Sequence, residues 1–588
     1  MASAAHDSSR GQGGPTDPRL RLTASQAVGL GIFVYLGVTV LLFHLLLSGG
    51  TTVAGGPPDN EQHVWELGWW AFALTHGVNP FFTNYLTPAG HPLNLMWNNM
   101  TPVLAVLALP LTLLLGPIGS FNVLMVLAIW GTATSAFLCL RLLGGNPWAA
   151  WFGGLLFGFS PFMITNASSG RLPWTSLFVL PVVFLLGWKL VVQRRGSRWL
   201  LGTGLGIAGA VQLLLSEEFL LTTALVAVLM VILLGAAYRK EVSPAIRYAG
   251  PPVVWAAVVG VLICGYPLAM QFLGPGHAIH GTVIPVEQHV SSLLSALIPT
   301  PYQLLHIDNL FIGVQQMEIQ TGLSSTYLGL PLIALLLFMA LRQYRDPVTW
   351  WALVLVAVAF VISLGAHLHV AGSATRIPLP WDLLRHLPLM SLVVPGRVIV
   401  FCYFGAALVI VRFGVVQWPS LSLPVRSVVV ALLLVTLTPA GALPVTSLVT
   451  PRIFRSSSSN LGMLHGMVAL VPVPDGDSYD QARTMVWQAE GGFRIEIPWG
   501  NIIQGGAHGA ATLYVRSTLA RALVTLQDGG RLKLTGATLD AMRQELNHWH
   551  VTAVVVGPTS YRRRVVSLFD ELLGGAPTSV GGAQLWRV

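Results

Sequence analysis

The stretch FNVLMVLAIWGTATSAFLCL, residues 121–140, decides the class of fold. It contains no Asp, Glu, Lys or Arg, and a helix of about 20 apolar residues crosses the hydrocarbon core of a bilayer. The whole chain shares this character, because only 9% of its 588 residues are charged and 54% are hydrophobic. A soluble protein of this size needs far more charge to cover its surface. The sequence therefore predicts a polytopic α-helical membrane protein.

Eleven stretches along the chain are long and apolar enough to be candidate spans. A Gly/Ser/Ala/Pro-rich tail precedes the first of them, and charged residues return after the last. We predict a disordered cytoplasmic tail over residues 1–24, a membrane domain of about 11 helices over 25–447, and an extracytoplasmic domain over 448–588. The candidate spans are residues 26–47, 119–141, 148–165, 174–192, 199–216, 218–237, 251–271, 327–341, 348–366, 396–414 and 426–446.

Loop charge indicates the orientation of these spans, because Lys and Arg concentrate in cytoplasmic loops. Arg19 and Arg21 precede the first span, whereas residues 61–100 contain no Lys or Arg. The later basic groups all fall on the cytoplasmic side only if the proline-interrupted segment 101–116 does not cross. We therefore predict that 101–116 lies along the outer interface of the plasma membrane, with the N-terminus in the cytoplasm and the C-terminal domain outside.

Two long loops are predicted on the outer side, at residues 48–118 and 272–326. Within the first loop, residues 61–76 carry several large aromatic side chains. Amphipathic aromatic residues concentrate at the membrane–water interface. This segment is therefore predicted to be a helix that lies on the membrane.

The C-terminal domain differs in pattern from the spans. Its apolar runs have the length of strands, as in Val468–Val473 and Val551–Val556, and helix-like stretches follow around 538–548 and 561–573. This pattern predicts a soluble α/β domain with its own core.

Composition also excludes two classes of protein. The net charge of +9 does not indicate nucleic-acid binding, since the basic residues stand in short groups between apolar runs and not on one face. The cysteines, Cys139, Cys264 and Cys402, all lie inside apolar runs, so a disulfide framework is not expected.

Asp59 and Glu61 are candidate catalytic acids in the first outer loop. Two carboxylates close together can divide roles, one acting as a base while the other binds a cation or raises the pKa of its neighbour. The alternative is structural, because acids are favoured in the first turn of a helix.

Further charged candidates stand at the predicted outer boundary. Glu217 and Glu218 separate two apolar runs. They either have a functional role, as ionisable residues within membranes usually do, or provide the polar residues of a tight turn. Arg171 and Arg397 are exceptions to the cytoplasmic bias of basic residues. A guanidinium binds phosphate bidentately, so either arginine could bind a lipid-linked phosphate or anchor the protein to headgroups.

Several motifs resemble those of the GT-C superfamily of polyprenyl-phosphate-dependent glycosyltransferases, in particular a group of bacterial GT-C-like membrane proteins. The matches occur in order between residues 25 and 415, with weaker ones in the C-terminal domain. The chain departs from the pattern at Gly170-Arg171-Leu172, where Gly-His is expected. The matching motifs are DNEQHVWELGWW at 59–70, HGVNPFF at 76–82, LTPAG at 86–90, GFSP at 158–161, Gln212 with SEE at 216–218, YLGLP at 327–331, Pro395 with Arg397, MVWQ at 485–488 and GG at 491–492.

This resemblance implies an inverting transfer of a sugar from a polyprenyl-phosphate donor to a cell-envelope glycan, lipid or protein acceptor. By position, Asp59 takes the role of the base that deprotonates the acceptor, supported by or exchanging with Glu61. The leaving phosphate is already anionic and needs a cation rather than a general acid, which Arg397 or Arg171 could supply. The alternative cation is a divalent metal, Mg²⁺ or Mn²⁺, held by Asp59, Glu61 and the Glu217–Glu218 turn.

Two other classes of function are compatible with the sequence. A transporter or lipid flippase would use the acids for ion coupling, although such proteins usually carry charged or broken helices near the bilayer midplane, often in repeated halves. This chain keeps its charges in loops and at span ends and has no such repeat. A scaffold of cell-envelope assembly is the third class.

The predicted orientation can be tested with single cysteines. A cysteine at Ser197, in a predicted cytoplasmic loop, should be protected from an impermeant thiol reagent added outside. One at Gly116, at the end of the predicted interfacial segment, should be accessible from outside or buried in lipid. Labelling of the Ser197 site from outside would overturn the span assignment.

Overall fold

The computed structural model describes residues 24–48, 51–87, 92–277, 286, 289–306, 326–370, 373–455, 462–474, 482–505, 511–512 and 517–588. The predicted tail, except for Ala24, lies outside these residues, as does much of the predicted outer loop 272–326.

The described residues are mostly helical. The α-helices are α1 (Ala24–Leu42), α2 (Asp59–Thr75), α3 (Pro102–Leu107), α4 (Leu109–Leu142), α5 (Pro147–Gly158), α6 (Pro161–Ser168), α7 (Leu172–Thr175), α8 (Leu180–Trp188), α9 (Arg198–Leu215), α10 (Glu217–Ala237), α11 (Arg239–Leu273), α12 (Leu330–Arg342), α13 (Pro347–Ser363), α14 (Pro380–Leu384), α15 (Ile399–Val416), α16 (Leu423–Leu437), α17 (Arg483–Glu490), α18 (Thr518–Gln527), α19 (Gly536–His548) and α20 (Arg562–Leu573).

Short strands accompany the helices. They are β1 (Thr52–Ala54), β2 (Phe82–Thr83), β3 (Leu93–Asn94), β4 (His367–Val370), β5 (Ser373–Pro378), β6 (Val445–Ser447), β7 (Met467–Val471), β8 (Gln504–Gly505), β9 (Ala511–Thr512), β10 (Val551–Val556), β11 (Thr578–Val580) and β12 (Ala583–Arg587).

The helices make the chain a multi-pass membrane protein. Among the described residues, seven helices are long and apolar enough to cross a bilayer, and four more apolar helices have 10–17 residues. Each of the predicted spans overlaps with one of these helices. The count of 11 crossings and the orientation of the termini stay predictions. The seven are Ser25–Leu42, Leu109–Leu142, Pro147–Ser168, Arg198–Leu215, Glu217–Ala237, Arg239–Leu273 and Pro395–Val416, and the shorter four are Leu180–Gln193, Leu330–Arg342, Pro347–Ser363 and Leu423–Leu437.

The segment 101–116 is divided into two short helical pieces. The first is α3, and the second is the part of α4 that precedes Gly116, where a φ of 73° interrupts the helix ahead of Pro117. A proline inside a helix removes a backbone hydrogen bond and kinks the chain. Neither piece reaches the length of about 20 residues that a crossing requires.

Small residues allow the membrane helices to approach closely. A Cβ on Gly206 of α9 would lie 2.5 Å from the Ala256 oxygen of α11, and one on Gly158 of α5 would lie 2.4 Å from the Ala133 Cβ of α4. Helix association inside membranes depends on such close packing, because lipid provides no hydrophobic drive between helices.

Helix α2 is buried in protein, so the expectation that its aromatic side chains meet the membrane interface is wrong, while its position relative to the bilayer stays a prediction. Trp65 and Trp69 are fully buried. Both rings pack against Phe493, with ring centroids 5.8 and 5.5 Å apart, and the Trp65 indole N–H donates to the Gln488 Oε1 at 2.8 Å. An aromatic face fits a protein interior as well as a lipid interface, and periodicity does not distinguish the two.

The C-terminal region contains a four-stranded sheet of order β11-β12-β10-β7. Strands β10 and β7 are parallel, and the other pairs are antiparallel. On one face, Ala469, Val471 and Val554 pack into a core formed with helices α18 to α20.

The opposite face of this sheet belongs to the main core of the protein. Val468, Leu470 and Val555 join the same cluster of buried residues as Trp65 of α2 and Trp487 of α17. The C-terminal region thus has a core of its own on one face of the sheet and shares a core with α2 on the other face. The predicted domain boundary near residue 448 stays a prediction.

Candidate active site

The segment between α1 and α2 contains a strand that pairs with the chain just after α16. Strand β1 pairs antiparallel with β6, which follows α16. The hydroxyl of Thr446 donates to the Gly55 oxygen at 2.7 Å, and the Gly55 nitrogen donates to the Pro444 oxygen at 2.9 Å. These bonds fix the chain four residues before α2 begins.

A close crossing of two backbones then brings two candidate residues together. Gly55 has a φ of +75°, and a Cβ there would lie 2.1 Å from the Gly170 nitrogen. Gly170 has a φ of +70°, and its Cβ would lie 2.5 Å from the Cβ of Asn60. Only glycine fits both positions, because other residues are strained at such φ values and have no room here. The crossing places Asp59 beside Arg171.

Asp59 and Arg171 form an ion pair. The Arg171 Nε donates to the Asp59 Oδ2 at 2.7 Å. The Asp59 side chain is 29% exposed and the Arg171 side chain 11% exposed. The pair joins the first turn of α2 to the loop between α6 and α7. Asp59 thus remains partly accessible to solvent.

Arg171 also contributes to a group of cations around one indole ring. The guanidinium carbon of Arg397 lies 3.7 Å from the centroid of the Trp174 ring, and that of Arg171 lies 5.4 Å from it. Cations over an aromatic face are attracted by its quadrupole. Arg171 and Arg397, the two arginines predicted to bind phosphate, therefore both lie near the Trp174 ring.

Glu218 balances the second of these cations. Its Oε2 accepts a hydrogen bond from the Arg397 Nη1, and its Oε1 accepts one from the Val394 nitrogen at 2.9 Å. Both charged side chains are at least nine-tenths buried. Burying a charge is costly unless it is paired, so this contact holds Arg397, two residues before α15, against the start of α10.

Some donors of this cluster make no hydrogen bond within the part of the chain that the structure describes. They are the indole N–H of Trp174 and the Nε of Arg397, both buried. Buried polar groups in native proteins are almost always paired. Together with the guanidinium charges, these donors are chemically suited to an anion.

Glu217 faces a different partner from its neighbour Glu218. Its Oε2 accepts from the Gln271 Nε2 at 2.8 Å, and the same nitrogen donates to the Met96 oxygen at 3.3 Å. Glu217 thus links α10 to the end of α11.

Glu61 points away from Asp59, toward the C-terminal region. Its Oε2 accepts from the Ala482 nitrogen at 2.9 Å, and its Oε1 lies 3.7 Å from the Arg483 Nε. Residues two apart on a helix stand on nearly opposite sides of it. Of the predicted acids, Asp59 and Glu218 are drawn into one cluster, whereas Glu61 and Glu217 are not.

A buried polar group on α2 was missed by the sequence reasoning. The Nδ1 of His63 lies 2.8 Å from the Glu66 Oε2, and the Gln62 Nε2 donates to the Glu66 Oε1 at 3.0 Å. Spacings of three, four and seven residues from Asp59 place these side chains on its face of the helix. That periodicity was available in the sequence.

The carboxylates do not converge as a shared metal site would require. Asp59, Glu61, Glu217 and Glu218 each contact a separate partner, and the described residues contain no group of three or more His, Cys, Asp or Glu side chains that could hold a metal ion. The predicted metal held by all four acids does not fit this arrangement. A divalent metal elsewhere in the reaction stays a prediction.

Comparison with solved structures identifies the fold. The chain is similar to the arabinofuranosyltransferase AftD from Mycobacteria, with a TM-score of 0.53 at 12% identity over 96% of this chain. The match covers 42% of the AftD chain. ArnT from Cupriavidus metallidurans matches with a TM-score of 0.39 at 13% identity, over 96% of this chain and 98% of that one. No protein-family model and no curated protein sequence matches.

The chain therefore shares its fold with the part of the AftD arabinofuranosyltransferase that it matches. The resemblance that the sequence showed is confirmed at the level of the fold.

The glycine crossing gives a stability test of the site. We expect Gly55→Ala to lower the melting temperature of the purified protein, since overpacking costs roughly 1–3 kcal/mol and a left-handed backbone roughly 1–2 kcal/mol for residues other than glycine. Gly37→Ala is the matched control, because nothing lies within 4 Å of a Cβ there. Equal melting temperatures for Gly55→Ala and the wild type would contradict the crossing.

Proposed function

We propose that this protein is a membrane glycosyltransferase that moves a sugar from a polyprenyl-phosphate donor to a cell-envelope acceptor on the outer face of the membrane, with inversion at the anomeric carbon. The GT-C fold supports the reaction class. The observation that carries the proposal is the cluster of Asp59, Arg171, Trp174, Arg397 and Glu218, which combines a partly exposed carboxylate with two guanidinium groups and two unpaired donors.

The donor phosphate is assigned to the cationic part of this cluster. A guanidinium offers a planar fork that matches phosphate oxygens, and it stays charged in a dry site. Arg397 has one arm on Glu218, and its Nε remains to donate, as does the Trp174 indole N–H. Arg171 lies on the same ring and extends the positive potential toward Asp59.

The proposed step is an in-line displacement. An acceptor hydroxyl gives its proton to the Asp59 carboxylate while its oxygen forms a bond to the anomeric carbon. The bond between that carbon and the phosphate oxygen breaks, and the electron pair leaves with the polyprenyl phosphate. The leaving group gains negative charge, which Arg171 and Arg397 stabilise in a site that largely excludes water.

The other acids have supporting roles in this proposal. Glu218 holds Arg397 in place and prevents it from turning away from the phosphate. Glu61 holds the C-terminal region against α2, so it fixes the position of the helix that carries Asp59. Neither acid has to exchange a proton with the substrate.

Replacing Asp59 tests the proposal. Asp59→Asn keeps the shape of the side chain and removes the proton acceptor. Because general base catalysis contributes typically about 10²–10⁴ in rate, release of polyprenyl phosphate from labelled polyprenyl-phosphate sugars should fall by that order in membranes that contain the acceptor. Binding of the donor should change little by comparison.

Asp382→Asn is the matched control, since Asp382 also pairs with an arginine, Arg385, at 2.7 Å but lies outside the cluster. That variant should retain wild-type turnover. Wild-type turnover in a well-folded Asp59→Asn protein would reject Asp59 as the base.

Arg397→Lys should weaken donor binding, because a point charge does not replace a planar fork. Absence of turnover with every donor in the wild type would favour a transporter or a scaffold.

A further inference from the structure

The junction between α9 and α10 contains buried polar side chains that the proposed reaction does not use. Ser216 separates the two helices in an extended conformation, with φ −165° and ψ 110°. Gln212 lies one turn before it, and the Ser216 nitrogen donates to the Gln212 oxygen at 2.8 Å. Both side chains are almost completely buried, with 1% and 2% of their surface exposed.

These side chains make no hydrogen bonds within the part of the chain that the structure describes. Neither the Nε2 nor the Oε1 of Gln212 has a partner, and the same is true of the Ser216 Oγ. An unpaired amide in an apolar interior is unfavourable, and polar residues retained inside membrane domains commonly face a ligand or a pathway. The junction therefore has the hydrogen-bonding capacity of a binding site.

Gln212 is directed toward the interior of the membrane domain. It shares a helix face with Ala208 and Leu215, both of which belong to the main core. The opposite face, with Gly206, packs closely against Ala256 of α11. The Gln212 amide is thus turned away from the contact between α9 and α11, so that contact does not explain its burial.

The junction is continuous with the cluster proposed to bind phosphate. Glu218, two residues after Ser216, binds Arg397, and Glu217 between them accepts from Gln271. A group held next to the phosphate on Arg397 would therefore lie beside this junction. In a lipid-linked donor, the group attached to the phosphate is the sugar.

The chemistry of the unpaired atoms distinguishes a sugar from a phosphate. An ionised phosphodiester only accepts hydrogen bonds, so it cannot satisfy the Gln212 Oε1. A sugar hydroxyl both donates and accepts hydrogen bonds, so it can pair with either atom of the Gln212 amide and with the Ser216 hydroxyl. We propose that Gln212 and Ser216 bind hydroxyl groups of the donor sugar and so contribute to sugar specificity. This inference rests on the proposed function.

The test compares a polyprenyl phosphate with the same lipid carrying a pentose or a hexose, with affinities measured on the purified protein in nanodiscs. Gln212→Met keeps the length of the side chain and removes both hydrogen-bonding atoms. Affinity for a sugar-bearing lipid should fall about tenfold, as expected for the loss of one or two hydrogen bonds, while affinity for the bare lipid stays unchanged. Ser216→Ala should show a smaller effect of the same kind.

Gln343→Met, at the C-terminal end of α12, is the control and should affect neither affinity. The melting temperature of each variant verifies folding. Equal affinities of Gln212→Met and the wild type for every lipid would overturn the inference, as would an equal loss for bare and sugar-bearing lipids. Wild-type protein that binds none of the lipids would instead overturn the proposed function, and the inference with it.

Discussion

Two ion pairs, Asp59–Arg171 and Glu218–Arg397, place four charges at one end of an apolar membrane domain. Removing a charge from water is costly, so each of these groups depends on its partner. The pairs also join parts of the chain that are 112 and 179 residues apart. Because both arginines meet at Trp174, the pairs bring the start of α2, the α6–α7 loop and the starts of α10 and α15 to one place.

The segments around α2 support this arrangement. The pairing of β1 with β6 and the glycine crossing fix the start of α2, and the C-terminal region fixes its middle through Glu61 and the buried tryptophans. The C-terminal sheet shares one face with the core that contains α2. We infer that this region is a structural part of the site and would expose an apolar face if separated from the membrane domain.

Much of the fold could be predicted because lipid imposes a simple rule of length and apolarity, and the candidate spans overlap with helices. The arginines and acids of the site could also be singled out, since charge is rare in this chain and its position is informative. The pairing of Asp59 with Arg171 could not, because it depends on two glycines that approach across more than 100 residues. The burial of α2 was missed for another reason: an aromatic helix has the same pattern whether it meets lipid or protein. The opposed directions of Asp59 and Glu61, which were expected to act as a pair, were missed although helical periodicity indicates them. The same periodicity aligns His63 and Glu66 with Asp59.

The most direct measurement is a cryo-EM structure of the purified protein with a polyprenyl phosphate bound. The account predicts density for the phosphate within hydrogen-bonding distance of the Arg397 Nε and the Trp174 indole N–H, on the side facing Arg171. It also predicts that Glu218 keeps its contact with Arg397. A phosphate bound elsewhere, with the surroundings of Trp174 unchanged, would contradict the assignment of this cluster as the donor site.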